Sequence, residues 1–298
     1  MKFMRQAIFV TASFLLGIFA CTIYQYFFIG AYHPFPNFFD KYKYQALLTP
    51  QMAFERQKAK VNIPICSAPK TLILCYDNAF LKRILQKYRH EECENVYSQH
   101  TDIYLLSDCP QIAIARFGWG APLNAIKLEH AIAWGVKQVI AIGTSCGLQK
   151  DISPSDILVC EKAIRDEGTS HHYLPYSKYA YPSKKLLEKL LLHLNKTNTP
   201  YKLGPSWTTD AFYRSTKEEV EQYQKDGVLN VEMEAASLFT IAAYRNIDMI
   251  ALFSITDSYA NLKWEKPLNY EKQKFKTMEK LFEITLSVAT RKKNQEDT

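Results

Sequence analysis

The chain reads as an α/β domain on a mixed, largely parallel central sheet flanked by helices on both faces, preceded by an N-terminal apolar helix. Three observations lead there. Short apolar runs alternate with helix-compatible stretches from Thr71 to Ile255, as expected when strands are covered on both sides. A small-residue loop, Gly143-Thr144-Ser145-Cys146-Gly147, divides the apolar runs Val139–Ile142 and Ile157–Cys160. The stretch from Ala7 to Gly30 carries no charge at all. At 298 residues and 47% apolar composition, one large domain with flanking segments is expected.

Lys2 and Arg5 precede that uncharged stretch, which is long enough to cross a bilayer as a helix of about 20 residues. A cleaved signal has a shorter apolar core, about 7–15 residues. Tyr24, Tyr26, Phe27 and Phe28 are placed like an interfacial aromatic belt. The expectation is an uncleaved membrane anchor over 1–32. The alternative is cleavage or lipidation at Cys21, where Ile18-Phe19-Ala20-Cys21 fits a lipoprotein box poorly because of Phe19. Lys2 and Arg5 favour export of the rest of the chain, although Lys41 and Lys43 blunt the asymmetry. Residues 33–69, with Pro34, Pro36, Pro50 and Pro64, read as a linker, 70–290 as the catalytic domain, and 291–298 as a charged tail.

Within the domain, Thr71–Tyr76 is a strand and Ala79–Tyr88 a helix. Gln111–Arg116 is a strand, Phe117–Pro122 a turn and Leu123–Trp134 a helix with apolar Ala125, Ile126, Leu128, Ala131 and Ile132. The alternation continues through Val139–Ile142, Ser183–Leu194, Tyr201–Thr208, Met233–Tyr244 and Met249–Ile255, and Phe275–Ala289 closes it as an amphipathic helix. The net charge of +7 is partly the tail Arg291-Lys292-Lys293, and no basic stripe interleaves with aromatics, so nucleic acid is not an expected partner. Six cysteines besides Cys21 permit disulfides without requiring them. Cys75 and Cys160 lie in apolar runs, and no pair has zinc-ligand spacing, so no metal is expected.

Three segments carry the chemistry: the G-T-S-C-G loop, Asn230–Phe239 (NVEMEAASLF) and Ile250–Ser258 (IALFSITDS). Together, in order from about Thr71 to about Ser258, they resemble the nucleoside phosphorylase family of uridine phosphorylase, bacterial purine nucleoside phosphorylase and the methylthioadenosine nucleosidases. The resemblance implies N-glycosidic cleavage, which builds positive charge on the sugar and drives electrons into the base. Such a site must grip the ribose, receive the departing base and deliver a nucleophile to C1′.

By this resemblance Glu234 accepts hydrogen bonds from the ribose hydroxyls, with Met233 packing beside it and Glu232 as its companion. Asp257, ending an apolar strand, donates to purine N7, which favours a purine or purine-like base because the pyrimidine branch lacks it. Phe212 and Tyr213 fall where the family stacks an aromatic on the base. Gly143, Thr144 and Ser145 fall in its phosphate loop. His171 and His172 lie in the loop Arg165–Tyr173 and read as ligands or as a surface pair. The segment Arg214-Ser215-Thr216-Lys217 offers no Gln and Arg to read uracil.

The phosphate side departs from the family. The arginine two residues before Gly143 is Ala141, and the family's early G-D-P-x-R loop is Tyr76-Asp77-Asn78-Ala79-Phe80, without Gly or Arg. The arginine given by a neighbouring subunit aligns loosely with Tyr104, and no histidine matches the one that holds the 5′ hydroxyl. Losing bidentate guanidinium contacts weakens phosphate binding. Arg116 is the first substitute, with Lys82 and Arg83 as others. The expected activity is therefore a nucleoside phosphorylase giving ribose 1-phosphate, needing only phosphate as co-substrate and working as a homo-oligomer. A phosphate-independent nucleosidase using Glu232 or another carboxylate as base is the second reading. A membrane-tethered nucleoside sensor with little turnover is the third.

Overall fold

The computed structural model describes residues 36, 38, 41–60, 66–93 and 102–290. The chain divides into two units, Met1–Tyr44 and Gln45–Thr298. The described part of the first contains one 3-10 turn, Lys41–Lys43.

Ten strands of the second unit form one sheet. They are β1 (Thr71–Cys75), β2 (His90–Glu92), β3 (Asp102–Leu106), β4 (Cys109–Arg116), β5 (Gln138–Gly147), β6 (Ile157–Asp166), β7 (Tyr179–Ala180), β8 (Lys202–Thr209), β9 (Asn230–Glu232) and β10 (Asp248–Ser258). The helices are α1 (Pro50–Lys58), α2 (Asn78–Lys87), α3 (Ala121–Trp134), α4 (Lys184–Lys196), α5 (Lys217–Lys225), α6 (Ala235–Arg245) and α7 (Tyr270–Thr290).

Strand alternation sorts the core into two layers. Leu72, Leu74, Val139, Ala141, Met249 and Phe253 face α3 and α6. Ile73, Cys75, Ile140, Ile142, Ile250 and Leu252 face α2, α4 and α7. Because both faces are covered, β1 is buried at all five positions, and each fully buried Leu or Ile there contributes roughly 1.5–3 kcal/mol. This is why the central strands read as unbroken apolar runs rather than alternating ones. The sheet is mixed, as expected: β1 runs parallel to β4 and β5, and β5 to β10, while β10 is antiparallel to β6. The sequence did not indicate its closure. β5, β9, β8, β6 and β10 pair in turn and β10 returns to β5, so five strands form a ring from which β1, β4, β3 and β2 extend.

Inside the expected linker, Pro50–Lys58 is the helix α1. The Thr49 hydroxyl accepts the Met52 amide at 3.2 Å, Pro50 takes the first position where its missing N–H costs nothing, and Phe54 is buried against the α3 face. Cys66 and Cys93 form a disulfide, and the Trp134 indole donates to the Cys66 carbonyl at 3.0 Å. Cys75 and Cys160 are free and buried, packing as small hydrophobes.

The expected membrane localisation is corrected. Among the described residues no helix is long and apolar enough to cross a membrane. The longest, α7, has 21 residues and carries charge along its length, and it spends its apolar stripe on the sheet. The stretch Ala7 to Gly30 with Cys21, on which the anchor rested, lies outside the described residues, as does the tail 291–298.

Candidate active site

The parallel strands β1, β5 and β10 start level, at Thr71, Gln138 and Asp248; β1 stops at Cys75, while β5 and β10 run on together to Gly147 and Ser258. Register pairs Asp257 of β10 with Cys146 of β5, after a bulge that follows Ile255. At the same end β9 crosses antiparallel to β5, pairing Val231 with Cys146, and runs parallel to β8, pairing Glu232 with Thr208. The V-E-M-E-A segment is therefore delivered from the strand end straight into the first turn of α6.

Glu232 caps that turn. Its Oε2 accepts the amides of Glu234 and Ala235, each at 2.7 Å, and its Oε1 takes the Thr208 hydroxyl. Thr208 Oγ1 also accepts the Ala236 amide at 3.0 Å, so side chains satisfy three free amides of the first turn. Glu234 is the N-cap residue and reaches elsewhere: its Oε1 accepts the Gly120 amide at 2.6 Å. Gly120 begins α3 with φ 91°, a left-handed conformation that favours glycine and aims its N–H at the carboxylate. Met233 is half-buried between the two carboxylates.

Both carboxylates are buried. Burial raises the pKa of Glu232 above its ordinary range, against the opposing pull of the Thr208 hydroxyl and the two helix amides. Glu234 is also raised, first by burial and then by the negative charge of Glu232. Burial thus opposes ionisation of both until a ligand supplies new donors. Ribose hydroxyls are such donors.

Asp257 has a donor on each oxygen. The Thr256 hydroxyl gives to Oδ1 at 2.8 Å and the Trp264 indole to Oδ2 at 2.7 Å. Phe212 and Tyr213 follow β8, are 60% and 91% exposed, and touch edge-to-face at 4.9 Å between ring centres. His171 turns its Nε2 to the Arg165 carbonyl at 3.1 Å and stacks on Tyr176, while Arg165 staples the loop through Ser170, Leu174, Pro175 and Ser177.

The expected phosphate residues are less tightly gathered. Along β5, Gly143 and Ser145 point to the α6 side and Thr144 to the other. Thr144 is exposed. Ser145 is buried, and its Oγ has no hydrogen-bond partner among the described residues. Arg116 is tied to Asp102 by Nε at 3.0 Å and a second nitrogen at 2.8 Å, and Arg83 to Glu279 at 3.0 Å. Tyr76 lies against Gly143, where a Cβ would come within 2.9 Å of its ring. Burial, then the charges of Glu234 and Glu232, hold Tyr76 as a neutral phenol.

Sequence reasoning missed Lys274, whose Nζ meets Asp77 Oδ2 at 2.8 Å while Asp77 Oδ1 caps α2 through the amides of Ala79 and Phe80. Its spacing from Asp77 along the chain gave no signal. Trp264 and Gly120 were also missed. A glycine just ahead of Pro122 at a helix start was the one available hint.

The chain matches the model of the phosphorylase superfamily over residues 70–287. It is 27% identical over 181 residues to a DeoD-type purine nucleoside phosphorylase of an Exiguobacterium species, covering 60% of this chain and 75% of that one. A DeoD-type purine nucleoside phosphorylase of a Thermoanaerobacter species is 32% identical over 181 residues, covering 60% and 76%. Among solved structures, uridine phosphorylase from Vibrio fischeri superposes with a TM-score of 0.65 at 25% identity, covering 74% of this chain and 92% of that one.

Proposed function

The chain belongs to the phosphorylase superfamily and is an enzyme acting on nucleosides, and from that premise we propose that it is a purine nucleoside phosphorylase. The observation that carries this reading is the Glu232–Glu234 pair: Glu232 is consumed by the amides of α6, which leaves Glu234 to meet a ligand. In this reading the ribose 2′ and 3′ hydroxyls donate to Glu234, taking over from Gly120, with Met233 against the sugar. Phosphate oxygen forms a bond to C1′ as the C1′–N9 bond breaks. The electron pair leaves with the base, which Asp257 meets at N7, and the products are free purine and ribose 1-phosphate. A carboxylate beside the ribose also favours the cationic sugar of the transition state. Phe212 and Tyr213 flank the base.

Purine preference is supported by Asp257 at the end of β10 and by the purine-specific names of the two relatives. On the phosphate side the reading assigns Gly143, Thr144 and Ser145, with Arg116 and Lys274 as the cations. The enzyme needs no cofactor beyond phosphate. It acts as a homo-oligomer, with residues 70–290 as the catalytic unit.

A second reading, hydrolysis by water, is favoured by Ala141 and Phe80, which stand where the family carries arginines. The test is incubation of the protein with inosine, guanosine, adenosine, methylthioadenosine and uridine, with and without phosphate, identifying both products. Base release only with phosphate, with ribose 1-phosphate formed from the purine nucleosides, is expected. Free ribose at equal rates without phosphate would establish the hydrolase instead.

A further inference from the structure

We propose that Trp264 is a positioning residue for Asp257, acting through its indole N–H; this rests on the purine reading above. An aspartate side chain at a strand end is free to rotate about its last bond, so one hydrogen bond leaves the carboxylate plane unset. Here the two oxygens are held from different directions, Oδ1 by the Thr256 hydroxyl at 2.8 Å and Oδ2 by the Trp264 indole at 2.7 Å. Held on both oxygens by donors from different residues, the carboxyl group is fixed in the edge that Asp257 presents to a ligand.

The segment that brings Trp264 back is built for the purpose. Ser258 and Glu265 exchange both backbone hydrogen bonds, at 2.8 and 2.9 Å, closing a short loop immediately after Asp257. The Tyr259 amide anchors the loop to the Gly147 carbonyl at 2.8 Å, and the Ser258 hydroxyl accepts the Ala260 amide at 3.0 Å. Asn261 donates to the Glu265 carboxylate at 3.0 Å, and Leu262 adopts a φ of 57° at the loop's tip. Trp264 is 60% exposed, the Lys266 ammonium lies 5.9 Å from its ring centre, and its indole N–H reaches the strand at Asp257.

The positioning role predicts a substrate-dependent defect. The test compares the wild type with Trp264→Phe and Asp257→Asn on inosine and on 7-methylinosine, whose base already carries the charge and needs nothing at N7. Trp264→Phe is expected to lower kcat on inosine by roughly tenfold, as loss of one orienting hydrogen bond at the reacting group does, with the KM for phosphate unchanged. Asp257→Asn is expected to lower it further, and both variants to lose markedly less on 7-methylinosine. Equal losses on the two substrates, or none on either, would overturn the proposal. The indole ¹⁵N–¹H resonance of Trp264, identified by its absence in Trp264→Phe, is expected to move in Asp257→Asn, and an unmoved resonance also overturns it. If the wild type releases no base from inosine with phosphate, the purine reading fails, and the resonance still judges the Trp264–Asp257 contact.

Discussion

The two ends of the pocket are built on opposite principles. Around the start of α6, the buried Glu232 and Glu234 are held by backbone amides and Thr208, and the half-buried Asp257 by Thr256 and Trp264. Around Gly143, the phosphate side of the proposed reading, Tyr76 packs on the strand, Arg116 is paired with Asp102 and Lys274 with Asp77. In the proposed reading the second must bind phosphate with hydroxyls and with two cations, Arg116 and Lys274, that already have carboxylate partners.

The sharpest way to break this contrast is to put the arginine back. Ala141 is fully buried, so Ala141→Arg is expected to cost roughly 3–5 kcal/mol of stability in denaturant melts, the penalty of an unpaired buried charge. Pairing it with Tyr76→Gly opens room and is expected to recover part of that loss and to lower the KM for phosphate. A single variant as stable as wild type would show that the space is empty rather than filled.

Next in size is the carboxylate end itself. Glu234→Ala is expected to reduce kcat/KM for the nucleoside on the order of a hundredfold, by removing a charge-assisted acceptor of the ribose hydroxyls, in steady-state assays. A loss confined to the phosphate KM would move Glu234 to the other end of the pocket.

The contact between Tyr76 and Gly143 gives a smaller effect. Gly143→Ala places a Cβ 2.9 Å from the Tyr76 ring and is expected to destabilise the fold by roughly 1–3 kcal/mol. Tyr76→Phe should not relieve it and Tyr76→Ala should, since the ring and not the hydroxyl is the obstacle. Thermal melts of the single and double variants decide this.

The smallest effect is in pH dependence. Glu232 and Glu234 have folded-state pKa values raised above the ordinary 4.5, so the native protein binds protons more tightly than the unfolded chain. The stability they contribute is full below that value and is lost as pH rises through their folded pKa values, so the protein is expected to melt more easily as pH is raised from 5 to 8. Glu234→Gln is expected to flatten the profile, and a wild type that gains stability over that interval would refute the assignment.

Much of the fold was legible because strands buried on both faces leave unbroken apolar runs: β1, β5 and β10 stand out in the sequence as Thr71–Tyr76, Val139–Ile142 and Met249–Ile255. β2 was not, because His90, Glu91 and Glu92 are exposed and carry no apolar signal. The helix α1 hid behind its own proline, whose place at a first helical position looks the same as a linker proline until Phe54 is seen in the core. α5 escaped because it buries only Val220.

What the sequence by itself determined is the local chemistry: which strands are central and where the carboxylates leave them. These are properties of neighbours in the chain, written in its periodicity and motifs. Only the tertiary structure decided what each group meets. The Gly120 amide comes to Glu234 across 114 residues and Lys274 to Asp77 across 197, and ring closure by β10 brings Asp257 beside Cys146. No spacing rule reaches that far, because such pairs are set by how layers pack and not by how residues repeat.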